Sequence, residues 1–297
     1  MRNYSPLWLF AVILSFVSCD KVEEPVPVEE DTPAPEVKAP EPVVTKPTYW
    51  SEVKLHEVIR EANPGYSGNG QFQIDEQGQV RAIALDNCGV SDITPLKGMP
   101  LMALYLLGCE VPDISPLQGM SLVELYLENT AVKDISALEG MTELRKLYLS
   151  NTEVDDLSPI TGLGIVEMNL VHTPVTDLSA LKGMPLQMLW LTDAPVVDIS
   201  PLSSSPLVSL TLHRTKVNDL SPLANTALQR LHIGETEVTD LNPLKGLRLT
   251  RLVFDPDDIQ KGMEAVKAIP TITEIGTKFE DGENDLKPAA AFWQERG

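Results

Sequence analysis

Aliphatic and polar positions along most of this chain recur in a fixed frame of 21 residues. From Val90 to about Asp258 each copy reads V-x-D-[I/L]-[S/T/N]-x-L-x-G-M-x-L-x-x-L-x-L-x-x-T-x. Its aspartate falls at Asp92, Asp113, Asp134, Asp156, Asp177, Asp198, Asp219 and Asp240, at a step of 21 with a single step of 22. A period in this range predicts a solenoid. Within each copy an L-x-x-L-x-L segment, such as Leu122 to Leu127 or Leu207 to Leu212, alternates its side chains across a short strand. One strand per coil, stacked in parallel, predicts a single sheet. No coil can cover its own aliphatic residues, so neighbouring coils must stack to bury them.

The other half of each copy is turn chemistry. The run D-[I/L]-S-P-L suggests Ser115, Ser158, Ser200 and Ser221 as N-caps, with the following proline at the first helical position. Gly98, Gly119, Gly140, Gly162, Gly183 and Gly246 then stand where a left-handed C-terminal cap favours a residue without Cβ. The prediction is one short helical turn per coil on the convex side. The aspartates are expected to accept local backbone N–H groups rather than to stack calcium.

With this frame and the D-I-x-P-L turn, the chain resembles the leucine-rich repeat family in its short bacterial form, similar to the internalins. The likeness covers roughly 180 residues and implies an α/β solenoid, a horseshoe or rod with a parallel sheet on its concave face. The family's asparagine position is occupied here by Thr130, Thr152, Thr173, Thr215 and Thr236, or by Cys88 and Cys109. A hydroxyl there can still bond backbone groups of the adjacent turn.

The flanks read as caps, which a solenoid needs to cover its end coils. Residues 49–79 are the N-terminal cap: an amphipathic helix from Trp50 to Ala62, then a strand through Phe72 and Ile74 turning at Gly78 into the first rung. Repeats fill 80–258, and 259–297 form the C-terminal cap, with Ile259, Met263, Val266 and Ile269 on one helix face. The closing segment resembles that of leucine-rich repeat modules found alone or appended to bacterial serine/threonine kinases. No kinase motif occurs in this chain.

Residues 1–18 read as a signal peptide, with an apolar run from Leu7 to Val17 that is too short for a bilayer span. The sequence Phe16-Val-Ser-Cys19 resembles a bacterial lipobox, which implies lipid attachment at Cys19. Residues 19–48, rich in Pro, Glu and Val, are expected to form an extended acidic tether. Together these place the repeats in a bacterial cell envelope, facing the periplasm or the exterior, with the lipid as the only membrane contact.

A net charge of −20 argues against a nucleic-acid partner, since no basic stripe offsets it. Cys88 and Cys109 occupy the same position of adjacent coils, about 4.8 Å apart at Cα. That leaves two readings open, a disulfide or two free buried thiols. His56, His172, His213 and His232 fall at different coil positions without a partnering nucleophile, so neither catalysis, a cofactor nor a metal is expected.

Function is therefore expected on the exposed face of the sheet. Tyr105, Tyr126, Tyr148 and Trp190 line up between the last two aliphatics of their coils, flanked by Glu124 and Lys146, with Arg230 and His232 further along. Tyr and Trp supply rigid, amphipathic anchors, so these residues are the candidate site for a protein partner. The same rings could stack on a glycan. A purely structural envelope spacer is the alternative, because aromatics also stabilise open strands.

Overall fold

The computed structural model describes residues 49–280 and 283–296, so the expected signal peptide, the expected lipid attachment at Cys19 and the expected tether lie outside the described residues. The chain enters through helix α1, Glu52–Ala62, whose first turn is capped by Ser51 Oγ accepting from Lys54 N–H at 3.3 Å. Leu55 and Ile59 are its buried face. Buried Asn63 then fastens the cap to the first coil. Its Oδ1 accepts the N–H groups of Ser91 and Asp92, each at 2.8 Å, and its Nδ2 donates to the Asp92 carbonyl at 2.8 Å.

Strand β1, Gln71–Ile74, runs antiparallel to β2, Val80–Ala84. Eight more strands follow in parallel at the repeat spacing: β3 Ala103–Tyr105, β4 Glu124–Tyr126, β5 Lys146–Tyr148, β6 Glu167–Asn169, β7 Met188–Trp190, β8 Ser209–Thr211, β9 Arg230–His232 and β10 Arg251–Val253. The register keeps equivalent residues side by side. Leu104, Leu125, Leu147, Met168, Leu189, Leu210, Leu231 and Leu252 form one inward row, all at most 1% exposed.

After a short helix α2, Met263–Lys267, strand β11 at Glu274–Gly276 adds one more parallel rung beyond the sequence repeats. The helix is shorter than the apolar spacing suggested, because Gly262 in the left-handed conformation (φ +84) starts it only at Met263. A hairpin of β12, Phe279–Glu280, and β13, Glu283–Asn284, follows. Strand β14, Lys287–Pro288, returns antiparallel to β11, and α3, Ala289–Glu295, seats Phe292 against Phe254 at 6.1 Å between ring centroids.

On the far side of each coil the helical turn is a single 3-10 turn, such as Ser115–Leu117 or Ser221–Leu223. The serine is not its side-chain cap. The turn begins at the serine itself, and the acceptor is the aspartate two residues earlier, as in Asp113 Oδ1 taking Ser115 N–H and Asp198 Oδ1 taking Ser200 N–H, both at 2.7 Å. Proline fits at the next position because it has no N–H to satisfy there. The glycines two residues after each turn's last aliphatic take φ from +73 to +87, a backbone that a Cβ would strain.

The threonine column closes each coil from within. Thr130, Thr152, Thr173 and Thr215 donate to the carbonyl three residues back, at 2.6–2.7 Å. Cys88 and Cys109 are free, buried thiols in this structure, and Cys109 Sγ donates to the Leu85 carbonyl of the preceding coil at 3.0 Å. Among the described residues no helix is long and apolar enough to cross a membrane.

Candidate binding face

Strand alternation places three columns of side chains on the open face of the sheet. The middle column holds the predicted aromatics, and they form a continuous stack. Ring centroids are 4.7 Å apart for Tyr105 and Tyr126, 4.4 Å for Tyr126 and Tyr148, and 6.0 Å for Tyr148 and Trp190. The last pair stands two rungs apart. It meets because the intervening position is the smaller Asn169, over which Trp190 and Tyr148 lean towards each other.

The acidic column beside the rings fixes their hydroxyls. Tyr105 donates to Glu124 Oε2 at 2.8 Å and Tyr148 to Glu167 Oε2 at 3.1 Å. Lys146 reaches Glu124 Oε1 at 3.2 Å. Burial first, and the Glu124 carboxylate second, push the Tyr105 hydroxyl well above its ordinary pKa. Tyr126 rises for the same order of reasons, with Glu124 the leading charge. The phenols are therefore neutral donors throughout the working range of pH.

Not all of the predicted residues present themselves equally. Tyr126, Tyr148, Trp190, Glu124 and Lys146 are half-buried, and Arg230 is exposed. Tyr105, at 8% exposure, is closed off among Ala82, Ala103 and Tyr126. His232, at 6%, is buried and does not offer itself to a partner. The chain beyond β11 turns back over this end of the sheet. There the Thr277 carbonyl would stand 3.6 Å from a Cβ on Gly234, and Asp285 Oδ1 ties down the N–H groups of Thr277 and Lys278 at 2.8 Å each.

Burial, with Arg251, His213 and Arg230 adding to it, lowers the His232 pKa to about 4 from an ordinary 6.5. A histidine depressed in the folded state binds its proton more readily when unfolded. Stability is therefore full above pH 6.5 and falls as pH drops towards 4, by about 3 kcal/mol from this residue. Urea denaturation followed between pH 7.5 and 4 should show that loss, and His232→Gln should flatten it. A pH slope unchanged in the variant would remove His232 as its source.

Two residues beyond the rings lies a third column that the choice of site residues passed over. Glu128, Ser150, Val171, Thr192 and His213 follow the middle column at the i+2 spacing, so the same alternation that selected the tyrosines could have found them. Glu128 reaches across the rungs, where its Oε1 accepts from Ser150 Oγ at 3.0 Å and from Asn169 Nδ2 at 3.3 Å. Burial raises the Glu128 pKa above its ordinary value.

Beyond this column the chain leaves the strand through residues in the left-handed conformation. Asn151, His172, Asp193 and Arg214 have φ between +54 and +62. For Arg214 that backbone is uncommon. Arg214 forks onto Asp193 with contacts of 2.6 and 2.7 Å, while His172 Nδ1 stands 3.3 Å from the same carboxylate. His213 lies beneath, its Nδ1 at 2.8 Å from the Gly234 carbonyl and its Nε2 at 2.9 Å from Arg214 Nη1.

Beside them opens a cavity of ≈ 710 Å³ whose lining includes Glu128, Ser150, Asn169, Val171, Trp190 and Arg214. It is open, polar at both ends and aromatic on one side. Among the described residues no group of three or more His, Cys, Asp and Glu side chains is placed to hold a metal ion.

The family model for leucine-rich repeats in two copies matches residues 121–162. An internalin (inlF) from Listeria monocytogenes is 27% identical over 75% of this chain and 68% of its own, with a TM-score of 0.61. An internalin C2 (inlC2) from the same organism is 25% identical over 68% of this chain and 92% of its own, with a TM-score of 0.56. No curated protein matches the chain. The fold is a leucine-rich repeat solenoid.

Proposed function

We propose that this protein is a non-catalytic binding module, held in a bacterial envelope by a lipid on Cys19, that captures a protein partner on the open face of its sheet. The observation that carries this reading is the stack of Tyr126, Tyr148 and Trp190, half-exposed and running into a cavity. The rings are fixed before any partner arrives, because each packs on the next and Tyr148 is also tethered to Glu167. Little side-chain entropy is then lost on binding, which favours affinity on a pre-formed surface. Rigid aromatic anchors beside polar groups are also the composition of protein interfaces.

Affinity capture from detergent-solubilised envelopes, with the parent chain beside Trp190→Ala, tests the reading. A protein retained by the parent and depleted at least tenfold by the variant is expected, as a single buried aromatic anchor contributes about 2 kcal/mol. Equal recovery by both would move the interface off this face. Recovery of no protein, with capture on a glycan array, would assign the rings to sugar stacking instead.

A further inference from the structure

The cavity beside the aromatic stack carries an asymmetry of charge. At one end Arg214 is already neutralised by its two contacts to Asp193. At the other end Glu128 is held by a hydroxyl and an amide, both neutral. The other charge acting on Glu128 is the Asp86 carboxylate, of the same sign, and among the described residues no cation offsets it. Trp190, which packs on Tyr148, borders the same opening, which is large enough for a long side chain. A carboxylate without a countercharge, next to an aromatic ring in an open cavity, is complementary to one kind of group. That group is a cation that gains an ion pair from Glu128 and cation–π attraction from the indole.

We propose that the cavity bounded by Glu128, Asn169 and Trp190 is a specificity subsite that receives an arginine side chain of the partner. The inference rests on the partner-binding reading and sharpens it. Guanidinium fits better than ammonium here for two reasons. Its planar fork can engage the remaining Glu128 oxygen while its face lies against the indole, and it sheds its hydration more easily on entering. Asn169 positions the carboxylate rather than contacting the cation, since its Nδ2 already donates to Glu128 Oε1.

The test uses the full chain and two probes, acetyl-Gly-Arg-Gly amide and the same tripeptide with citrulline, an uncharged isostere of arginine. Binding is read from the indole N–H resonance of Trp190, assigned by its disappearance in Trp190→Phe. Arginine should shift this resonance saturably, citrulline should bind about tenfold or more weakly, and Glu128→Gln should bring arginine down to the citrulline level. Glu128→Gln preserves the acceptor for Ser150 and Asn169, and unchanged shifts elsewhere in its spectrum show that it folds.

Equal affinity for the two tripeptides, or an arginine affinity unmoved by Glu128→Gln, overturns the proposal, as does the absence of any shift. A shift produced by methyl glycosides and not by arginine overturns it in favour of a glycan. Capture of a partner with no arginine response defeats the subsite alone. An arginine response with no partner captured defeats the partner-binding reading and leaves the subsite standing.

Discussion

Leu147→Asp should unfold the repeat array as a whole rather than open one rung. Leu147 is fully buried in the central strand β5 and stacks between Leu125 and Leu147's other neighbour, Met168. Truncation to alanine there would cost about 2–5 kcal/mol from lost contacts and the cavity left behind. A carboxylate adds the penalty of a buried charge with no cation in reach, several kcal/mol more. Together these approach the entire stability of an ordinary domain, about 5–15 kcal/mol. In a solenoid each coil is covered only by its neighbours, so a failed central rung exposes the apolar flanks of both remaining halves. The expected result is loss of the cooperative urea transition and of slow amide exchange in β3 and β8 alike. Leu147→Met, which conserves volume, should stay within about 1.5 kcal/mol of the parent. Protection persisting in β8 while β5 exchanges freely would show that the coils fold as separate units.

That cooperativity was legible in the sequence because the frame repeats at every level. The same 21-residue spacing fixes the inward leucines, the turn aspartates and the positive-φ glycines, and each reports on local geometry alone. The serine caps were misplaced for a local reason as well. A 3-10 turn of three residues starts later than an α-helix would, so the acceptor moves back to the aspartate. The site was less legible, since it depends on contacts across coils. Nothing in the string marks Tyr105 and His232 as closed off, because their burial arises between coils, Tyr105 among Ala82, Ala103 and Tyr126, and His232 in a neighbourhood shared with His213, Arg230 and Arg251. Glu128 belongs to the cavity by reaching a residue 41 positions away. Its column was readable from period-2 alternation, but its lean across two rungs was not.

The triple variant Tyr126→Ala, Tyr148→Ala, Trp190→Ala should abolish partner capture while the solenoid still folds. The three rings carry most of the half-exposed aromatic area of the face, and anchors of this kind contribute about 2 kcal/mol each. Their effects overlap because the rings touch one another, so the sum is an upper bound. Even two-thirds of it, about 4 kcal/mol, lowers affinity several-hundred-fold or more. The same stack also supports the sheet. Three ring pairs within it are lost, at about 0.5–1.5 kcal/mol each, and the variant should melt at a lower temperature than the parent. It should not unfold, because the inward leucine row beneath is untouched and fully buried. Tyr126→Phe with Tyr148→Phe separates the two roles. This pair keeps the stack and removes the hydroxyl that reaches Glu167, so its melting temperature should hold near the parent's while capture falls only modestly. If the triple variant lost its fold together with its capture, the rings would be sheet support, and the binding surface would have to be sought elsewhere on the coils.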